Sequence, residues 1–72
     1  MKISYYPETD SLYIDLSEHP SVESVEISEG VVVDYDSEGN LVGIDIDNAS
    51  KKVELNKFTM SRLPAMEKTI EA

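Results

Sequence analysis

The sequence contains no cysteine and no tryptophan, and it has one histidine, three glycines and three prolines among 72 residues. Without cysteine there is no disulfide framework, no thiolate zinc site and no thiol nucleophile. His19 has no second imidazole with which to share a metal and no serine arrangement that suggests a triad. Beside Pro20 in a polar stretch, it reads as an exposed loop residue. No apolar run approaches the roughly 18 residues that a spanning helix needs. The opening Met1-Lys2-Ile3-Ser4-Tyr5 goes straight into a strand pattern, which is not the pattern of a signal peptide. Basic residues are scarce, 6 against 15 acidic ones, for a net charge of −9. Such a chain repels a phosphate polymer, so electrostatic nucleic-acid binding is not expected. The class that remains is a soluble, cytoplasmic, acidic single domain with no implied cofactor.

Short length is the next constraint. In a domain of this size, apolar burial and the entropy of ordering the chain nearly cancel. A homodimer or another partner is therefore expected. The charge is also uneven. Residues 1–50 carry 12 acidic side chains and one basic one, Lys2, for a net −11. Residues 51–72 carry Lys51, Lys52, Lys57, Arg62 and Lys68 against Glu54, Glu67 and Glu71, for a net +2. An acidic body of this kind suits a basic protein partner, and it also keeps a small protein soluble.

The first half of the chain alternates with period two, the pattern of half-buried strands. Ile3 and Tyr5 share one face, as do Leu12, Ile14 and Leu16, with Tyr13 and Asp15 opposite. Val25 and Ile27 are expected inward in a third strand. Val31, Val33 and Tyr35 share a face in a fourth, and Val42, Ile44 and Ile46 in a fifth. Pro7 to Ser11 and Ser37 to Asn40 are turn chemistry. The expected fold is α+β: a small antiparallel β-meander of about five strands with a C-terminal helix packed on one face. Asp47 or Asn48 caps that helix, which runs to about Glu54. Asn56 could cap a further turn holding Phe58, Met60 and Leu63, stopped by Pro64. The expected division is a domain over residues 1–64 and a flexible tail over 65–72.

The run from Tyr6-Pro7-Glu8-Thr9 through Asp10-Ser11-Leu12-Tyr13-Ile14, the run from Gly30 to Ile46, and Ala49-Ser50 occur in that order. Together they resemble a small bacterial and archaeal family, domain of unknown function 2283, over roughly residues 1–54. The resemblance implies a short antiparallel sheet followed by a helix. It brings no catalytic or binding residue with it. Family members are sometimes encoded beside another small protein, which implies an antitoxin-like binding module.

Three residue sets compete as functional sites. Asp34, Asp36 and Glu38, with Gly39 and with Asp45 at position twelve, approach the spacing of a calcium loop. Val42 at position nine and the strand-like flanks fit that motif poorly; a β-hairpin with Gly39-Asn40 at positive φ fits better. Asp34 with Asp36, or Asp45 with Asp47, could form an acid pair. A small meander offers little concave surface to dry such a pair, so solvated edge charges are the expected reading. Tyr6, Tyr13 and Val32 are expected together on the face opposite the core, as a contact surface. The resulting expectation is a non-enzymatic interaction module, a homodimer that also binds a basic protein. A calcium-binding hairpin is the alternative.

Overall fold

The computed structural model describes the backbone of residues 1–62 and 66–71, and the side chains of residues 1–61. Among the described residues, seven strands and one helical turn follow one another: β1 (Lys2–Tyr6), β2 (Ser11–Asp15), β3 (Glu23–Ser28), β4 (Val31–Tyr35), β5 (Leu41–Ile46), α1 (Ala49–Lys52), β6 (Lys57–Arg62) and β7 (Met66–Glu71). The first five form one antiparallel sheet in the order β1-β2-β5-β4-β3. The fold class is thus α+β, as expected. Strands β3, β4 and β5 form a three-stranded meander, and the β1–β2 hairpin joins it through β5 rather than through β3.

The register shows why period two is so clear. Ile14 lies opposite Ile3 on one side and Ile44 on the other. Val33 lies opposite Ile44 and Val25. These residues, with Tyr5, Leu12 and Ile46, form one apolar face. Tyr13, Asp45 and Val32 fall in register on the other face. Leu12, Val33, Val42 and Ala49 are the buried apolar side chains of the described residues. The inward placement expected for Ile27 is corrected: it is 61% exposed. Strand β3 is an edge strand, and a β-bulge between Glu26 and Ser28 takes Ile27 out of the pairing.

Each end of the sheet is closed by a turn carboxylate. At one end the β2–β3 connection must cross β5 and β4 to reach the far edge. Leu16 N–H and Ser17 N–H donate to Val42 O at 2.8 and 3.2 Å, and Val22 N–H donates to Tyr35 O at 2.8 Å. Beneath this crossing, Asp36 is buried. Its Oδ1 accepts from Glu38 N–H and Asn40 N–H, both at 2.9 Å, and its Oδ2 lies 3.2 Å from His19 Nδ1. His19 is exposed in its loop, as expected, yet it pins that loop to the β4–β5 turn. Gly39 supplies the positive φ of the turn (83°); Asn40 does not adopt one.

At the other end, α1 is a single turn, shorter than the span anticipated from Asp47 to Glu54. Asn48 precedes it in the left-handed region and makes no side-chain cap. Asp10 caps it from a distance of forty residues. Its Oδ1 accepts from Ser50 N–H at 3.1 Å and its Oδ2 from Ser50 Oγ–H at 2.7 Å. Tyr5 Oη–H donates to Asp10 Oδ1 at 2.8 Å, and Ala49 N–H donates to Asp10 O at 2.9 Å. From the opposite side, Lys52 Nζ donates to Glu29 O at 2.8 Å, and Asp47 N–H donates to Gly30 O at 2.8 Å. The turn of helix therefore ties the β1–β2 turn to the β3–β4 turn.

Residues 57–62 and 66–71 differ from expectation. In place of a helical turn after Asn56 and a tail from residue 65, β6 and β7 form an antiparallel hairpin, with Phe58 opposite Ile70 and Met60 opposite Lys68. The stop expected at Pro64, and the domain boundary beside it, lie outside the described residues.

Hydrogen bonds hold the Asp36 and Asp10 carboxyls below their ordinary pKa: chiefly the Asn40 amide for Asp36, and Ser50 followed by Tyr5 for Asp10. A depressed carboxyl stabilises the fold fully above its unfolded pKa, and this stabilisation is lost as pH falls through the folded value. Urea melts between neutrality and acid should therefore show stability dropping below about pH 4. Asp36→Asn should flatten that acid limb, and an unchanged limb would count against this assignment.

Candidate functional site

Gly43 in β5 has no side chain, and the ring of Tyr13 uses the space. A Cβ at Gly43 would collide with the Tyr13 hydroxyl and ring carbon. Tyr13 leaves β2, passes over β5 and reaches β4, where its Oη–H donates to Asp34 Oδ2 at 3.1 Å. Asp34 Oδ1 accepts from Ser24 Oγ–H on β3 at 2.6 Å. A chain of side chains thus crosses four strands, from β2 over β5 to β4 and β3. Burial raises the Tyr13 phenol above its ordinary pKa, and the hydrogen bond to the Asp34 carboxylate adds to this.

Around this strap the face is acidic. Asp45 stands opposite Tyr13 on one side and Val32 on the other. Burial pushes its carboxyl up, and the negative charges of Asp47 and Asp34 push in the same direction. Asp15 shares the face, with Lys2 opposite it at the edge. Of the expected contact residues, Tyr13 and Val32 are half-buried on this face, and Tyr6 is exposed near its border.

The carboxylates proposed for calcium are not brought together. Asp34 is occupied by Tyr13 and Ser24, Asp36 turns inward to the backbone of its own hairpin, and Glu38 is exposed at the tip. A register shift between Asp34 and Tyr35 separates the first two. Among the described residues, no three His, Cys, Asp or Glu side chains converge to hold a metal.

On the opposite face lies an open apolar groove of about 790 Å³. Ile3, Tyr5, Ile14 and Ile46 form its floor, and Phe58 and Met60 of β6 stand over it. Sequence reasoning does not reach this groove, because Leu55 to Leu63 reads ambiguously and only the structure makes Lys57–Arg62 a strand.

Comparison with known proteins adds a family. A family model described as protein of unknown function, DUF2283, matches residues 2–50. The chain belongs to that family. The DUF2283 match spans all five strands of the main sheet and reaches the start of α1; the β6–β7 hairpin lies beyond it. The chain is also similar to the uncharacterized protein MJ0789 of Methanocaldococcus jannaschii, with 32% identity over 60 residues, covering 83% of this chain and 51% of that protein. The chain therefore spans about half the length of that relative. No solved structure matches it.

Two substitutions test the strap. Gly43→Ala forces the Tyr13 ring off β5 and should cost about 1–3 kcal/mol in urea unfolding. Tyr13→Phe keeps the ring and loses only the hydrogen bond, which should cost about 1 kcal/mol. If Gly43→Ala were the milder of the two, the ring would not depend on that space. Millimolar Ca²⁺ should leave the melting temperature unchanged.

Proposed function

We propose that this DUF2283 chain is a non-enzymatic protein–protein interaction module whose acidic face receives a basic segment of another protein. The carboxylate crowding around Asp45 carries this reading. Burial and the charges of Asp47 and Asp34 oppose ionisation of Asp45 in the free protein. A lysine or arginine of a partner, placed beside Asp45, removes that penalty, so binding and relief of repulsion are the same event. An antitoxin-like pairing with a small basic protein is the specific form that the family resemblance suggests. The reading includes self-association, because the apolar face behind the acidic one is left partly open.

A lysine-rich peptide is a sufficient probe. Calorimetric titration should show binding that weakens several-fold between about 50 and about 300 mM salt. Asp45→Asn should weaken binding further while raising the melting temperature of the free protein. The sign follows from the raised carboxyl: its ionised form disfavours the fold, and this cost disappears as pH falls through the folded pKa. Salt-independent binding, or an Asp45→Asn variant that binds as well as the parent, would defeat the proposal.

A further inference from the structure

We infer that β3, the glutamate-bearing edge of the five-stranded sheet, takes up an extended basic segment of another protein as a sixth strand. The inference rests on the acidic-face reading for the sign of the partner's charge. It goes beyond that reading in naming the edge, the backbone contact and the conformation of the segment.

The five-stranded sheet ends in two edge strands, β1 and β3. Among the described strands β3 pairs with β4 alone, so the backbone groups on its outer side point away from the sheet. All six of its residues are exposed. Apolar side chains stand along this edge: Val22 is 63% exposed and Ile27 61%, and Val25 is exposed between them. Lysine and proline, which commonly blunt an edge strand, are absent from Glu23–Ser28. The bulge between Glu26 and Ser28 disturbs only the far end. Before it, Glu23, Ser24, Val25 and Glu26 pair regularly with Tyr35, Asp34, Val33 and Val32. That regular stretch is a template on which a further strand can form main-chain hydrogen bonds.

Charge selects the edge and its occupant. Glu23 and Glu26 lie in β3, Glu18 precedes it and Glu29 follows it, and residues 16–50 contain no lysine or arginine. The other edge, β1, begins with Lys2, and its Ile3 and Tyr5 line the groove beneath β6. A basic segment is therefore drawn to β3. A second copy pairing through its own β3 would set glutamate-bearing strands against each other, which cross-strand repulsion disfavours. Alternation then specifies the segment. Ser24 and Glu26 belong to the acidic face, where Glu26 is in register with Val32 and, through it, with Asp45. Gly30 N–H donates to Glu26 Oε2 at 3.4 Å, a long contact that a facing ammonium outcompetes. Val25 belongs to the apolar face beside Val33. The added strand answers both faces with lysine or arginine on one side and β-branched residues on the other.

The test uses the full chain and a synthetic peptide of alternating lysine and valine, about nine residues long. Two further peptides carry backbone N-methyl groups, one on every lysine amide and one on every valine amide. Only one of these sets of amides faces β3. One methylated peptide should therefore bind about tenfold or more weakly, while the other binds like the unmodified peptide. Binding should slow hydrogen exchange within Glu23–Glu26, and Glu23→Lys with Glu26→Lys should abolish it with Asp45 intact. Equal behaviour of the two methylated peptides, or exchange slowed in Lys2–Tyr6 instead, overturns the edge assignment and leaves the acidic-face reading standing. A double variant that binds as well as the parent overturns the selection by charge. No binding by any of the three peptides overturns both readings.

Discussion

The carboxylates of Asp36 and Asp10 hold the two ends of the sheet, and the strand order depends on them. Among the described residues apolar burial is limited to a few side chains such as Leu12, Val33 and Val42, so packing of these alone specifies little. The difficult step in this topology is the β2–β3 connection, which must pass the ends of β5 and β4. Asp36 gathers the amides of its own turn and receives His19 from the crossing loop. Asp10 does the equivalent at the far end, where it stands in for the helix cap that Asn48 does not supply. Both residues use charge-assisted hydrogen bonds to backbone amides, which are strong for their size. In a chain with so small a core, joints of this kind decide which strands become neighbours.

This changes the meaning of the acidic composition. A net charge of −9 suggests a uniformly solvated surface. In the fold two sets of these acidic residues do different things. Asp10, Asp34 and Asp36 act as acceptors for named donors. Asp45 stands beside the strap, where the negative charges of Asp47 and Asp34 crowd it. The sheet is therefore two-sided, acidic around Tyr13 and apolar behind it. The DUF2283 match covers the sheet and stops before the hairpin that faces its apolar side.

Much of the sheet could be read from sequence because alternation is a local signal. Leu12-Tyr13-Ile14 and Val31-Val32-Val33 show their faces without knowledge of their neighbours. The pairing of β2 with β5 could not be read that way, since it follows from where a loop crosses and not from any strand's own pattern. The ambiguity over β6 has a different cause: Phe58 and Met60 alternate with Thr59 and Ser61 as in a strand, while Asn56 offers a possible helix cap just before them. The spacing of Asp34 and Asp36 suggested convergent ligands, but a bulge between them assigns the two to separate tasks. Gly43 carried a readable sign: an isolated glycine within a strand often marks the close approach of another group. Which group approaches it, Tyr13 from the adjacent strand, required the register.

The strap over Gly43 also has an optical consequence. With no tryptophan, near-ultraviolet circular dichroism of this protein comes from four tyrosines and one phenylalanine. Tyr13 is held both at its ring, against the β5 backbone, and at its hydroxyl, on Asp34. An aromatic ring fixed in one asymmetric setting gives a near-ultraviolet band that vanishes when tertiary packing loosens, even where strand content persists. The protein thus carries its own spectroscopic gauge of whether four strands are locked together, separate from the far-ultraviolet signal that reports whether they exist.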